Sequence, residues 1–569
     1  MKALTPEQQQ IIAAKGDIKI NAVAGSGKTT TLVALASSLP PSDKILYLAF
    51  NRTVRDEARV RFNEAGLNGV KVETAHSLAF RSVMRQKKLE LTNNYKPYEL
   101  SQLLQIKTKD PEVRYLLASH TLKYLQLYLN SEVADHQLIN YAGSLLDPKA
   151  RNFADRFAGD LIGYTGKLLA FIEGGQIPCL HDYYLKKYQL TKPKLPFDHV
   201  LFDEGQDASG VMLDVLLAQK ARKVIVGDVH QQIYAWRQAV NSLQKVPFPS
   251  FQLSTSFRFG EEIAGVARRV LAWKQLLPEP GLLTDLRGCG GSGTAAGPKA
   301  ILARSNLFLL DRAIQCLQNE EAKSLWFEGN LTAYTFAADG TSIFDVLSLQ
   351  QGRQEKVRDP LLKSLGSFSK LEEYLEKAED PELAMITEMV RKYGDELPAY
   401  IHQLKHKQVD PENRSQAELI FSTVHRSKGL EYESVELTED FITHDKFLRT
   451  LADAEDHKVA RLNEEINLLY VAMTRAKKQL WLPACLWPQS AVMPVTPVHT
   501  PEMSYRRRRP QPYLRGDKHA WEWGQGMANR VSDTEVSHLY QLLVDEQHEW
   551  LAATNDSGAG GDSPDEEDG

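Results

Sequence analysis

The sequence predicts an α/β fold with two parallel sheets, each carrying a mainly helical insertion. Three observations predict it. Short β-branched or aliphatic runs alternate with helical stretches. The runs fall into two groups: Ile18–Val23, Ile45–Phe50, His199–Asp203 and Lys223–Gly227, then Ala300–Ala303, Glu418–Thr423, Ser434–Leu437 and Gln479–Leu482. Each group is interrupted by a long segment poor in strand signals. Residues 91–194 interrupt the first, and residues 331–413, with helical stretches at Leu371–Lys377 and Glu382–Tyr393, interrupt the second. The expected division is therefore 1–90 with 195–255 as the first α/β domain and 91–194 as its insertion. Residues 256–330 with 414–488 form the second domain, 331–413 its shorter insertion, and 489–569 a C-terminal extension. The Gly-rich segment Arg287–Pro298 reads as a flexible loop.

Composition supports a multidomain globular protein. The 569 residues exceed what one core usually organises, and 43% hydrophobic with 25% charged content is ordinary for such chains. No run of eighteen apolar residues is present, so no membrane span is expected. The start, Met1-Lys2-Ala3-Leu4-Thr5-Pro6, lacks an apolar signal core. Cys179, Cys289, Cys316 and Cys485 are scattered without C-x-x-C spacing, which fits a reducing cytoplasm and suggests neither zinc nor disulfides. The formal charge of −5 owes much to the stretch Asn555–Gly569, whose six acids read as a solvating, disordered tail. Without them the remainder carries +1, so a basic groove is not excluded. The run Arg506–Arg509, between Tyr505 and Tyr513, reads either as a nucleic-acid contact or as a solvated linker.

The first strand runs into Ala22-Val23-Ala24-Gly25-Ser26-Gly27-Lys28-Thr29, a P-loop. Gly25 and Gly27 let backbone N–H groups curl around phosphates, and the helix expected over Thr30–Ser38 adds its positive dipole end. Ala24, Gly25, Ser26, Gly27, Lys28, Thr29 and Thr30 are the expected phosphate cradle. Lys28 reaches the outer phosphates, and the Thr29 hydroxyl is a ligand for Mg²⁺. The chain is thus expected to bind ATP with Mg²⁺.

The remaining catalytic candidates sit where strands end. Asp203 closes an apolar strand, at the sheet edge where α/β ligands bind, and is a second candidate Mg²⁺ ligand. Glu204, next to it, suits a general base that deprotonates the attacking water. Gln231, after the strand Val224–Gly227, suits sensing of a terminal phosphate. Tyr234 and Trp236 follow, either as core aromatics or as stacking platforms for bases. Arg258 and Arg475 are candidates for stabilising charge on a transferring phosphoryl group. Both arise in the second α/β group, opposite the P-loop of the first.

Taken in order, these segments resemble UvrD/Rep/PcrA-type superfamily-one DNA helicases over about Leu4 to Leu482. The resemblance implies two RecA-like P-loop domains. It implies that Gln8, in Leu4-Thr5-Pro6-Glu7-Gln8, reads adenine, and that Asp203-Glu204-Gly205-Gln206-Asp207 is the DEAQD box with Gly for Ala. Thr423-Val424-His425-Arg426-Ser427-Lys428-Gly429-Leu430-Glu431 is similar to motif V. It implies DNA contacts at Thr423 and His425 and nucleotide contacts at Gly429 and Glu431. Leu469–Ala476 is similar to motif VI, with Arg475 as its arginine finger. Phe50-Asn51 and Thr74-Ala75-His76-Ser77 resemble the single-strand contacts of motifs Ia and Ib. The segments Gly227–Tyr234, continuing to Arg237, and Ser256–Gly260 are worded like motifs III and IV of the F-box DNA helicase branch. They add Arg237 to the expected DNA contacts and Phe257 to the nucleotide set. No F-box-like segment stands before Leu4, so the ligase role of that branch is not expected to carry over. Thr30 stands where UvrD-type enzymes often have an adenine-packing arginine, and the second insertion is short beside the large accessory domain of UvrD.

The expected function is an ATP-dependent 3′→5′ DNA helicase or single-strand translocase in repair or recombination. Its expected substrates are single-stranded DNA and DNA with single-strand tails. Repair or recombination proteins are the expected partners, and a monomer or weak dimer in the cytoplasm the expected state. The alternatives are a translocase that strips proteins with little unwinding, a defence-system helicase, and a non-catalytic scaffold. The full set of catalytic residue types argues against the last.

Overall fold

A computed structural model describes residues 3–488 except 85–88, 235–240, 279–284, 292, 330, 332–333, 335–341, 379 and 454–455. The first half builds a six-stranded, all-parallel sheet. Its members are β1 (Ile18–Ala22), β2 (Ile45–Ala49), β3 (Lys71–Thr74), β6 (His199–Phe202), β7 (Arg222–Gly227) and β8 (Ser250–Leu253), in spatial order β3-β2-β6-β7-β1-β8. A short pair, β4 (Leu91–Thr92) with β5 (Cys179–Leu180), ties the two ends of the first insertion together. Two further short strands, β9 (Thr255–Ser256) and β10 (Arg287–Gly288), pair beyond the sheet edge. The second half builds a five-stranded parallel sheet from β11 (Lys299–Ala303), β12 (Leu325–Phe327), β13 (Leu419–Thr423), β14 (Tyr432–Leu437) and β15 (Ala476–Trp481), in order β12-β13-β11-β14-β15. The fold is α/β with two RecA-like sheets, as the alternation of strand and helix signals predicts.

Helices cover both faces of these sheets, so the central strands are apolar throughout. Every residue of β2 is buried, and Val224, Ile225 and Val226 of β7 are fully so. Within the two large sheets, three strands have no counterpart in the sequence reading: β3, β8 and β12. All three lie at sheet edges. An edge strand needs less apolar surface, and Lys71-Val72-Glu73-Thr74 and Ser250-Phe251-Gln252-Leu253 carry only half an apolar pattern.

The insertions are helical as expected. The first contains the helices Pro111–Asn130 and Ala158–Glu173, and the second Phe368–Ala378 and Pro381–Tyr393. The two insertions also touch. Lys377 pairs with Glu112 at 2.5 Å, Lys149 with Glu376 at 2.6 Å, and Lys123 donates to the Ala378 carbonyl at 2.8 Å. Apolar contact between the lobes is continuous too. Val23, Ala24 and Ile233 of the first lobe join the core formed by the helices Glu261–Ala272 and Asp456–Met473 of the second.

The expectation of a flexible Gly-rich loop over Arg287–Pro298 is corrected at its start. There β10 pairs with β9, the Cys289 N–H donates to the Ser256 carbonyl at 2.8 Å, and the Gly290 N–H donates to Phe259 at 2.8 Å. Gly288 and Gly290 are small because backbone lies against them: a Cβ at Gly290 would overlap the main chain of Arg258 and Phe259. Gly291, by contrast, has open space around its Cβ position. Gly290→Ala should therefore lower stability by about 1–3 kcal/mol through overpacking, while Gly291→Ala leaves it nearly unchanged. Thermal unfolding of both variants checks this, and equal midpoints would contradict the packing described.

Candidate nucleotide and nucleic-acid site

The cleft lies at the carboxyl ends of β1, β6 and β7, where parallel strands deliver loop residues to one edge. After β1 the chain turns through Gly25 (φ +74°) and Gly27 (φ +81°) into the helix Lys28–Ser37. Those left-handed conformations favour glycine. Gly27 caps the helix without any side-chain hydrogen bond, and the buried Ser26 hydroxyl has no protein partner among the described residues. N–H groups without a side-chain cap, an orphaned hydroxyl and Lys28 suit an anion such as a phosphate chain. Thr29 is half-buried and Thr30 exposed.

Two neighbours fix the loop from outside. A Cβ on Gly25 would come 2.5 Å from Arg258 Cβ and 2.8 Å from Ser256 Oγ, and the Phe257 N–H donates to the Gly25 carbonyl at 2.9 Å. The Phe257 ring is 48% exposed. On the other side Gln8 is engaged within the chain. Its Oε1 accepts from the Thr5 N–H at 2.9 Å in a capping box, and its Nε2 donates to Thr31 Oγ1 at 3.0 Å. Glu7 braces the end of β8, within the first lobe, by accepting from Ser254 N and Oγ.

Three carboxylates are buried in the cleft, those of Asp203, Asp207 and Asp228, and a fourth, that of Glu204, is half-buried. Asp203 accepts from the Tyr47 hydroxyl and from the Glu204 N–H at 2.9 Å. Glu204 is a non-glycine residue at φ +54°, a sparsely populated conformation found at functional sites. It accepts from Lys28 Nζ at 2.6 Å and from Gln206 Nε2 at 2.5 Å. Asp207 pairs with Lys428, which also donates to the Gln231 carbonyl at 2.6 Å. Asp228 accepts from Gln231 Nε2 at 2.8 Å and from the Tyr470 hydroxyl at 2.9 Å. Burial would raise Glu204, but Lys28 and Lys428 hold its carboxyl at about 2. Burial, then the charge of Glu204, pushes Asp203 up; burial also raises Asp228, and carries Asp207 to about 6 despite Lys428. Burial opposes the charge on Lys28, yet Glu204 and Asp203 carry its ammonium above the usual range. Glu204 is therefore an anion at neutral pH.

Glycine at 205 has a steric cause. A Cβ there would lie 2.5 Å from Ile225 Cγ2 and 2.7 Å from Ser242 Oγ, and the Ser242 hydroxyl already donates to the Gly205 carbonyl at 2.5 Å.

The second lobe brings two arginines to this edge. Arg475 is fully buried. Its guanidinium donates to the carbonyls of Val471 (3.0 Å) and Leu430 (3.3 Å) and lies 3.5 Å from Gln231 Oε1. Burial, then the nearby Arg258, lowers it to about 9, so it stays charged at neutral pH. Arg258 donates to Glu431 Oε1 and to the Thr474 carbonyl, at 2.8 and 2.9 Å. Glu431, grouped with the nucleotide set from the sequence, here holds Arg258 and Lys477. Gly429 is an exposed turn residue at φ +89°.

The expected nucleic-acid residues divide. Phe50 and Tyr234 stack with ring centroids 5.8 Å apart, and Tyr234 OH donates to the His425 carbonyl at 3.2 Å. His425 Nε2 meets the Ile233 carbonyl at 3.1 Å. Phe50, Tyr234 and His425 thus form one strip across both lobes. The others hold local structure. Asn51 caps the helix Arg52–Glu64 through the Val54 N–H, Thr74 caps the next helix through Ser77, and Thr423 is buried. His76 meets Asp182 of the first insertion at 3.0 Å. Trp236 and Arg237 lie outside the described residues, as does the Arg506–Arg509 run.

Sequence reasoning missed Tyr47, Asp207, Asp228, Lys274, Lys428 and Tyr470. Asp228 carried the signal that marked Asp203, an acid closing an apolar strand. Asp207, Lys428 and Tyr470 stood inside quoted motifs, but their pairing across lobes has no local signature. Lys274 had no signal at all. It is buried between the lobes, donating to Asn467 Oδ1 at 2.5 Å and meeting His230 Nδ1 at 3.1 Å, while Asn467 Nδ2 donates to the Gln232 carbonyl at 2.8 Å.

The chain is similar to known proteins over most of its length. Residues 4–245 match the UvrD/REP helicase N-terminal domain. F-box DNA helicase 1 of Gallus gallus is 30% identical over 84% of this chain and 48% of its own. F-box DNA helicase protein 1 of Schizosaccharomyces pombe is 29% identical over 84% of this chain and 57% of its own. A probable DNA helicase II homolog of Mycoplasma genitalium is 23% identical over 84% of both chains. The chain thus spans about half the length of the two F-box relatives. The resemblance to UvrD/Rep-type and F-box DNA helicases that the motifs carry extends over most of the chain.

The buried Lys274 generates a pH prediction. Burial lowers its ammonium from 10.5 to about 7, partly offset by Asp228, while burial and then Lys274 keep His230 neutral. Between about 7 and 10.5 the unfolded chain holds the lysine proton more tightly than the folded one. Its contribution to stability is thus full above 10.5 and is lost as the pH falls towards 7. The difference in unfolding temperature, wild type minus Lys274→Met, should rise as the pH is raised through that window. Calorimetric melts at several pH values check it; a flat difference would mean the lysine titrates normally.

Proposed function

We propose that the chain is an ATP-driven DNA helicase or single-strand translocase. The observation that carries the reading is the meeting of two sets of groups in one cleft. Lys28, Glu204 and Gln231 of the first lobe face Arg258 and Arg475 of the second, joined at Arg475–Gln231 and through the contact of Arg258 with the P-loop. Phosphoryl transfer needs little covalent help; it needs positioned cations, a polarised water and exclusion of solvent.

The P-loop N–H groups and Lys28 would bind the phosphates of ATP, with Gln8 and Phe257 beside them for the base. Asp203 and Thr29 would hold Mg²⁺, which when bound neutralises phosphate charge. Glu204, ionised at neutral pH, would accept a proton from the attacking water, and Gln231 would orient that water. Lys28 would leave Glu204 for phosphate, which frees the carboxylate to act as a base. Arg258 and Arg475 would offset charge on the phosphoryl group. Both belong to the second lobe, so nucleotide would draw the lobes together and its loss would release them.

The strand would pass over Phe50, Tyr234 and His425. Phe50 and Tyr234 close on each other here, so a base would stack on their outer side or part them. Asn51, Thr74, His76, Thr423, Trp236 and Arg237 complete the proposed contacts. The 3′→5′ polarity and work in repair or recombination follow from the resemblance to UvrD-type and F-box helicases. For the working division we take 1–90 with 195–255 and 256–330 with 414–488 as the motor domains. Residues 91–194 and 331–413 are their insertions, and 489–569 an extension. The compactness of the second insertion favours strand translocation and protein displacement over strong duplex opening as a second reading.

ATP hydrolysis with and without single-stranded DNA tests this, on wild type and on Glu204→Gln. Stimulation by DNA is expected in the wild type, with kcat about 10²–10⁴-fold lower in the variant and nucleotide binding retained. Hydrolysis indifferent to DNA would sink the helicase reading. Forked substrates, with and without a bound protein, then separate unwinding from displacement.

A further inference from the structure

We propose that Arg426 binds the phosphodiester backbone of a strand lying across the second lobe, one residue beyond His425. The assignment rests on the strand-binding reading above and adds a contact that neither motif similarity nor sequence pattern singled out. Arg426 sits in the single turn Val424–Ser427 at the carboxyl end of β13, the turn whose His425 joins the Phe50–Tyr234 strip. Its side chain is exposed, but its guanidinium is not loose. The Cζ atom lies 4.8 Å from the centre of the Tyr334 ring. Tyr334 is itself fully buried, and its hydroxyl donates to the Glu328 carbonyl at 2.6 Å. The ring is therefore a fixed platform, and a guanidinium stacked on it surrenders little rotamer freedom when it meets a ligand.

The surroundings keep that group accessible. Gly329, at φ +83°, faces it, and a Cβ there would come 2.6 Å from Nη1. Neighbouring cations are already committed: Arg414 to Glu328, Lys428 to Asp207, Arg258 to Glu431. Arg426 differs, having no carboxylate within ion-pair distance among the described residues. Stacking uses the face of the guanidinium and, with Nη1 close to Gly329, leaves in-plane N–H donors for a ligand. A planar, pre-positioned cation without a counter-charge among the described residues matches phosphate oxygens. On this strip the phosphate is that of the strand whose bases meet Tyr234. Lys428, two residues on, cannot serve in its place, since it is half-buried against Asp207.

Binding of a fluorescently labelled oligodeoxythymidylate, measured by anisotropy over a range of salt concentrations, tests the assignment. Wild type, Arg426→Ala and Arg426→Lys are compared, with thermal unfolding to confirm that each is folded. One lost phosphate contact on a single strand should make the slope of log K against log salt shallower by about 0.7 in Arg426→Ala. Arg426→Lys keeps the charge and should keep most of the slope. Equal slopes for wild type and Arg426→Ala, with tight binding in both, would overturn the role of Arg426 and leave the strand-binding reading standing. A wild-type protein that fails to bind the oligonucleotide would overturn both.

Discussion

A buried carboxylate must find a positive or hydrogen-donating partner, and this cleft buries three of them and half-buries a fourth. Asp203 and Glu204 are satisfied from within the first lobe, by Tyr47 and Lys28. Asp207 is not: its only paired cation among the described residues, Lys428, comes from the second lobe, and Asp228 adds Tyr470 of that lobe to Gln231 and His230 of its own. Removing one partner of such a pair costs far more than the pair contributes, because the remaining charge stays desolvated. The Asp207–Lys428 pair thus adds to the apolar contact of Val23, Ala24 and Ile233 in holding the lobes in register. The proposed motor would need such a joint, specific in one arrangement yet built from groups that water or phosphate can satisfy when the arrangement changes.

The Lys28–Glu204 pair has the same character. At 2.6 Å it satisfies both groups, and in the proposed mechanism it also leaves the base occupied. There a phosphate chain competing for the ammonium would release the carboxylate, so that the electrostatics of the folded cleft and of the proposed reaction would use the same atoms in alternation.

Much of this was legible in the sequence. The central strands were, because parallel sheets covered on both faces demand unbroken apolar runs. So were the P-loop and the acids at the end of β6, because backbone geometry and strand polarity tie those residue types to one place. The edge strands β3 and β8 were not, since half their surface needs no apolar residue, and β12, though apolar and buried throughout, is only three residues long. Nor was the tight packing of Gly288 and Gly290: a glycine required for closeness and one tolerated in a loop are the same letter. Contacts between residues far apart in the chain, such as Lys428 with Asp207 or Lys274 with His230, have no periodicity to announce them. Glu431 is similar: the motif marks the position, and only the structure shows its pairing with Arg258 and Lys477.

The close contact at Gly205 also says something about descent. With Ile225 and Ser242 against it, position 205 is not free to acquire a methyl group by itself. Alanine there demands a smaller residue at 225 or 242 first, or a shift of the strand that carries them. The three positions thus form one heritable unit, and the order in which they change is constrained. Lineages holding alanine at 205 should differ at its neighbours as well, and a graft of this one residue between such lineages would fail where a graft of all three succeeds.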